Sequence, residues 1–235
     1  MAVLNLWAII LSDENERNQG LIVDLHIHTN RSSYCSSLSP QEMFERAGEL
    51  DLDAVAITEH STHRGAQIAY EMGKELGFKV FRGVEVYTTS GDMLVFGISS
   101  EVMPDMDFGE LVDIVRSESG LIVAAHPTRG YWGHHRKYKG YPPRDVLERV
   151  DAIETLNGGC SRQANLQATR LAVEMGLPQV GGSDAHIASQ VGKCITIFED
   201  EVRDEVELIE ALREGRCRAA YLEDVVPLSD GKPAG

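Results

Sequence analysis

Two pairs of residues spaced two apart carry the first chemical signal in this chain. His26 and His28 lie in the apolar run LIVDLHIH, and Asp184 and His186 lie in PQVGGSDAH. If both runs are strands, alternate side chains share a face, so each pair aims two ligating groups the same way. Buried strand positions ordinarily hold Val or Ile, and an ionisable group there needs a partner. Similar groups close other apolar runs: Glu59 and His60 in DAVAITEH, Glu85 in FKVFRGVEV, His126 in LIVAAH and Asn157 in AIETLN. His26, His28, His60, His126 and His186 with Glu85 and Asp184 form a ligand set for divalent metal. It contains no thiolate pair and suits zinc, manganese or iron without choosing among them. Glu85 is the natural bridging carboxylate. Two ions about 4 Å apart would together activate a water and neutralise a phosphoryl oxygen. Arg129 follows His126 closely and should project near the ions, where a planar guanidinium suits two-point phosphate recognition. The alternative for Arg129 is a salt bridge at the rim. The catalytic assignments are therefore Glu85, Asp184 and Arg129.

These residues need a scaffold that brings strand ends together. Strand-like runs at 21–28, 53–60, 78–86, 92–98, 121–126, 152–157 and 178–186 alternate with helical patterns, and a strand–helix–strand set follows. Ser39 is a plausible N-cap before Pro40 for the first helix. Gly120 is a stop signal after the helix near 108–119. Repeated β–α alternation argues a parallel sheet, open or closed. The polar residues fall at the carboxyl ends of the strands, the edge that carries active sites in parallel α/β folds. Residues 21–225 read as one domain, preceded by an extension at 1–20 and followed by a tail at 226–235.

The chain has 235 residues, 22 Lys and Arg against 37 Asp and Glu, and a net charge of −15. That surface disfavours nucleic acid as a partner without excluding it. Bound cations would still admit a small anionic substrate. The basic stretch lies at 127–143, where His134 and His135 read as unliganded loop residues, as does His63 earlier. Arg136, Lys137 and Lys139 read as a solvated face. Arg162 and Asn165 open a helix expected to start near the site. Cys35, Cys160, Cys194 and Cys217 form no CxxC pair, so neither a zinc ribbon nor a disulfide framework is implied. The apolar run at 1–11 is too short to span a bilayer and lacks the features of a signal peptide, so a cytoplasmic protein without membrane contact is expected. Oligomeric state is not readable. No GxSxG elbow or Walker loop occurs, which argues against nucleophilic-serine and ATPase chemistry.

DLHIHT, AITEH, GVEV, AAHPTR, IETLNG and GGSDAH, in this order over roughly 21–198, resemble the polymerase and histidinol phosphatase (PHP) domain family. The resemblance implies a distorted (β/α)7 barrel, two or three divalent metal ions and phosphoester hydrolysis by metal-activated water, in a short stand-alone branch. It implies a first ion on His26, His28, Glu85 and Asp184. A second would sit on Glu85 and His126, with Asn157 where some members have a further ligand, and a third on His60 and His186. The chain departs from the pattern after HxH, where it reads TNRSSYCSS with Ser33 and Tyr34 in place of an acidic or histidine ligand. It departs again at Gly91-Asp92, where many members have Gly-His. Asp92 and Cys35 are candidate replacements. Glu59 stands where Asp is commoner. The expected activity is a phosphoesterase acting on a small phosphorylated metabolite or nucleotide. The alternatives are a metal-binding module with weak or no catalysis, and an exonuclease-like phosphodiesterase.

Overall fold

The computed structural model describes residues 20–129 and 142–226. Nine strands form one sheet in the order β7-β6-β5-β4-β3-β2-β1-β8-β9. They are β1 (Leu21–Ile27), β2 (Ala54–His60), β3 (Lys79–Thr88), β4 (Gly91–Phe96), β5 (Leu121–Ala124), β6 (Ala152–Asn157), β7 (Gln179–Gly182), β8 (Cys194–Phe198) and β9 (Cys217–Tyr221). The helices are α1 (Pro40–Glu49), α2 (Arg64–Leu76), α3 (Phe108–Ser117), α4 (Arg144–Leu147), α5 (Arg162–Met175) and α6 (Glu205–Arg213).

β1, β2 and β3 run parallel, as do β5, β6 and β7. β4 runs antiparallel between the two sets, making a hairpin with β3 and pairing with β5. The turn of TTSGD forces that reversal, because so short a link cannot cross over to a parallel neighbour. The ring then nearly closes. The amide of Asp184 donates to the carbonyl of His26 at 2.7 Å, and that of His28 to Ala185 at 3.0 Å. The result is the expected distorted seven-stranded barrel of β1 to β7. β8 lies antiparallel against the start of β1, with β9 outside it.

Period-two alternation divides each strand between two jobs. Val23 and Leu25 of β1, Ala54 and Ala56 of β2, Phe81 of β3, Leu94 and Phe96 of β4, and Val180 of β7 build one buried apolar cluster. It continues into α6 through Leu208 and Leu212. The intervening positions face outward: Val55 and Ile57 pack with Met43, Phe44 and Ala66 of α1 and α2. On β2 and β3 the cluster-facing phase runs on to His60 and Glu85. On β1 the pairing slips between Asp24 and Ile27. After this irregularity Ile27 joins the outer cluster, leaving His26 and His28 on the inner face.

Closure demands a bare backbone at Gly182, because an added Cβ would lie 2.8 Å from the His26 amide nitrogen and closer still to its Cβ. Ser39 caps α1 as expected, and Glu42 completes a capping box. α3 stops differently from the expectation. Ser119, not Gly120, takes the left-handed conformation at φ 62°. Gly120 is instead required by close packing, since its Cβ would meet the Phe96 carbonyl at 2.7 Å.

Candidate metal centre

Glu85 is the hub of the cluster. One carboxylate oxygen lies 3.6 Å from His26 Nε2 and 3.0 Å from His126 Nε2. The other lies 3.4 Å from His28 Nε2 and 2.8 Å from His60 Nδ1. His26 Nε2 and His28 Nε2 face each other at 3.0 Å. Asp184 Oδ1 completes this first group, 3.5 Å from His26 and 3.3 Å from His28. Glu85, Asp92 and His126 converge as a second group, and His28, His60 and His186 as a third. All seven ligands expected from the sequence are therefore gathered on one end of the barrel, and the candidate Asp92 joins them as an eighth donor.

The donor chemistry fits divalent cations. His28 is fully buried, and burial drives its pKa down to about 3, so its ring is neutral. His26 goes the other way: burial opposes its charge, but Glu154, Asp184 and Glu85 hold its pKa well above the usual histidine range. Glu85 and Asp184 stay well below the usual carboxylate range despite burial, because His26 and other cationic or hydrogen-bonding neighbours surround them. Two ionised carboxylates, Glu85 and Asp184, thus stand among buried and half-buried imidazoles. Ionised carboxylates and unprotonated imidazole nitrogens are what a divalent metal takes.

The positioning groups are equally specific. Glu154, buried in mid-β6, accepts from His26 Nδ1 at 2.9 Å, which fixes that ring with Nε2 toward the centre. Its other oxygen accepts from the His126 amide at 2.7 Å and from Asn157 Nδ2 at 3.0 Å. Asn157 Oδ1 accepts from Arg129 at 2.8 Å and from the Gly159 amide at 2.9 Å. The Asn157 side chain thus ties Glu154 to Arg129. Arg129 also donates to Asp184, so its salt bridge is with a member of the cluster rather than a rim carboxylate. Glu59 accepts from the hydroxyls of Thr29 and Ser33, fastening the loop after β1 beneath His60.

One expected geometry is wrong. Asp184 and His186 are not an alternating strand pair, because β7 ends at Gly182 and Asp184 adopts φ 54°. The turned backbone sends Asp184 to the first group and His186 to the third. His126 is likewise beyond its strand, at φ 28°. Two non-glycine residues in this region of conformational space are a strain that functional sites commonly hold. Arg162 is not at the site: it pairs with Glu223 and lies over the Tyr221 ring. Asn165 instead brackets the Asn157 backbone, donating to its carbonyl at 3.1 Å and accepting from its amide at 3.2 Å. His63 hydrogen-bonds to the Ser100 carbonyl at 3.0 Å, away from the cluster. His134, His135, Arg136, Lys137 and Lys139 lie outside the described residues.

The PHP domain description matches residues 24–161, and a PHP-associated description matches 162–217. The chain belongs to the PHP domain family. An uncharacterized protein of Methanocaldococcus jannaschii is 28% identical over 180 residues, covering 76% of this chain and 70% of that protein. Another from the same organism is 29% identical over 113 residues, covering 44% of this chain and 66% of that protein. Among solved structures, a two-domain Bacteroides vulgatus protein containing a predicted PHP-like metal-dependent phosphoesterase superposes with a TM-score of 0.70 at 19% identity, covering 87% of this chain and 66% of that one. The lesion-specific endonuclease Q of Pyrococcus furiosus gives a TM-score of 0.64 at 19% identity, covering 85% of this chain and 57% of that one.

Sequence reasoning had not singled out two residues of this PHP site. Glu154 is one; its signal was an acid inside the otherwise apolar run AIETLN. Tyr87 is the other. Its hydroxyl lies 2.6 Å from His60 Nδ1, one strand period beyond Glu85 on β3.

Proposed function

We propose that the chain is a metal-dependent phosphoesterase that hydrolyses a small phosphorylated metabolite or nucleotide. The observation that carries this reading is the single Glu85 carboxylate within 3.6 Å of four imidazole nitrogens. His26, His28, Glu85 and Asp184 would hold one cation, and Glu85, Asp92 and His126 a second. Such ions supply Lewis acidity to a phosphoryl oxygen and to a water. Glu154 orients the His26 ring. Arg129, which pairs with Asp184 and Asn157 at the edge of the cluster, would be placed to bind a substrate phosphate oxygen. No helix among the described residues is long and apolar enough to cross a membrane. The continuous sheet supports residues 21–225 as one unit.

A screen of phosphomonoesters and small phosphodiesters with manganese or zinc tests the reading. At least two equivalents of metal should bind per chain, and solvent-labelled oxygen should appear in the released phosphate. Turnover of an abasic-site DNA duplex with no small-molecule turnover would redirect the reading to nucleic acid, against the −15 charge of the chain.

Arg129 tests the phosphate assignment separately. Arg129→Lys keeps the charge but loses the planar two-point contact. Losing one charge-assisted contact should cost about 1.5–3 kcal/mol, roughly ten- to a hundredfold in kcat/KM. Metal content should stay the same, as Arg is no ligand. Wild-type turnover in both Arg129→Lys and Arg129→Ala would reject the clamp.

A further inference from the structure

Beside the third group of donors lies a sulfur that the family pattern does not call for. Cys35 lies in the loop between β1 and α1, in the stretch that departs from that pattern. The loop is fastened to the site on both sides. The Ser36 hydroxyl donates to the carbonyls of His28 at 2.8 Å and His186 at 3.1 Å. The amides of Ser37 and Leu38 donate to the His186 carbonyl at 3.0 and 3.1 Å. Cys35 Sγ is held 3.2 Å from His60 Nε2, and His60 in turn converges with His186. Among the described residues Cys35 is the exposed free cysteine, so its sulfur is open to ions and reagents from solvent.

The histidines around it are set up to share an ion. His186 Nδ1 lies 2.9 Å from the Asp184 carbonyl, so that nitrogen carries the proton and Nε2 is left as a lone pair. His28 Nε2 is turned to the first group, 3.3 Å from Asp184 and 3.4 Å from Glu85. What remains around the outer position is two imidazoles and one thiol.

We infer that Cys35, His60 and His186 form a third metal position, in which a cysteine thiolate stands where oxygen or nitrogen would serve in the family pattern. On binding, the sulfur–hydrogen bond breaks, the proton leaves to solvent, and a sulfur–metal bond forms. A thiolate with two imidazoles is a soft donor set. It favours zinc over manganese at this position, while the oxygen-rich second group keeps its taste for harder ions. Mixed metal content follows. The inference rests on the metal reading above.

Cobalt(II) titration of metal-free full-length chain tests it without an activity measurement. Visible ligand-field bands report cobalt bound at any of the positions. A near-ultraviolet charge-transfer band reports sulfur ligation. The wild-type chain should show both, and Cys35→Ser should keep the first and lose the second. Ligand-field bands without charge transfer in the wild type would overturn the Cys35 assignment and leave the two-ion reading intact. Charge transfer that persists in Cys35→Ser would overturn it too, in favour of another cysteine such as Cys160. No cobalt absorption at all would sink the metal reading and this inference with it. Alkylation gives a second readout on the unmutated chain. Zinc should slow iodoacetamide modification of Cys35, mapped by peptide mass, by about tenfold or more, because the attacking thiolate is occupied. Equal rates with and without zinc would reject ligation.

Discussion

The His28→Ala protein should lose phosphoester turnover by about a thousandfold or more, equivalent to roughly 4 kcal/mol of transition-state stabilisation. His28 Nε2 stands within 3.4 Å of His26, Glu85 and Asp184 at once. Its removal opens the first cation's shell and takes away the imidazole nitrogen that both Glu85 and Asp184 approach. Metal content should fall below that of the wild type, while circular dichroism should still report a folded barrel, since the strand ladder does not run through this side chain. His63→Ala is the control. It removes one hydrogen bond to the Ser100 carbonyl, worth about 0.5–1.5 kcal/mol of stability, and should leave turnover nearly untouched. Equal losses of activity in the two variants would mean that the border between site and loop is misdrawn.

What separates His28 from His63 was legible before any coordinates. A histidine two residues from another, at the end of an apolar run, is a poor core residue and a good ligand. The same reasoning found His60, Glu85 and His126, because each closes a run whose apolar content marks it as a strand. It failed in detail at Asp184 and His186. Alternation holds only while the chain stays extended, and here β7 stops at Gly182. The positive φ of Asp184 is a local consequence of barrel closure against His26, a long-range contact that no short window of sequence contains. The β1 slip between Asp24 and Ile27 was hidden for the same reason: it puts Leu25 and His26 in adjacent positions toward the interior, against strict period two. Asp24 has a hidden role too. Burial pushes its pKa up to about 6, and its carboxylate accepts from the amides of Ser183 at 2.8 Å and Gly192 at 2.9 Å, fastening the segment that carries Asp184. The partnership of Asn157 with Arg129 was likewise out of reach, since it depends on a turn that follows each strand.

Glu154 should prove the most sensitive residue outside the donor groups themselves. It accepts from three donors in a fully buried position: His26 Nδ1, the His126 amide and Asn157 Nδ2. Glu154→Ala leaves all three without a partner. Each unsatisfied buried donor costs about 1–3 kcal/mol, so the sum is large against a typical total stability of about 5–15 kcal/mol. That variant is expected to melt far below the wild type or to fail to fold. Glu154→Gln is the informative one. Its shape is retained, but one of its two oxygens becomes an amide donor. If the remaining oxygen serves His26, an N–H group faces the His126 amide and Asn157. If it serves those two, His26 loses the acceptor that fixes its ring. Either choice weakens the hold on a first-group imidazole, so metal affinity should fall about ten- to a hundredfold. The loss in affinity should be accompanied by slower turnover that is partly restored at high metal concentration. A purely structural role would lower the melting temperature and leave affinity unchanged. Isothermal titration with zinc or manganese on Glu154→Gln decides between them, and wild-type affinity in that variant would remove Glu154 from the metal centre.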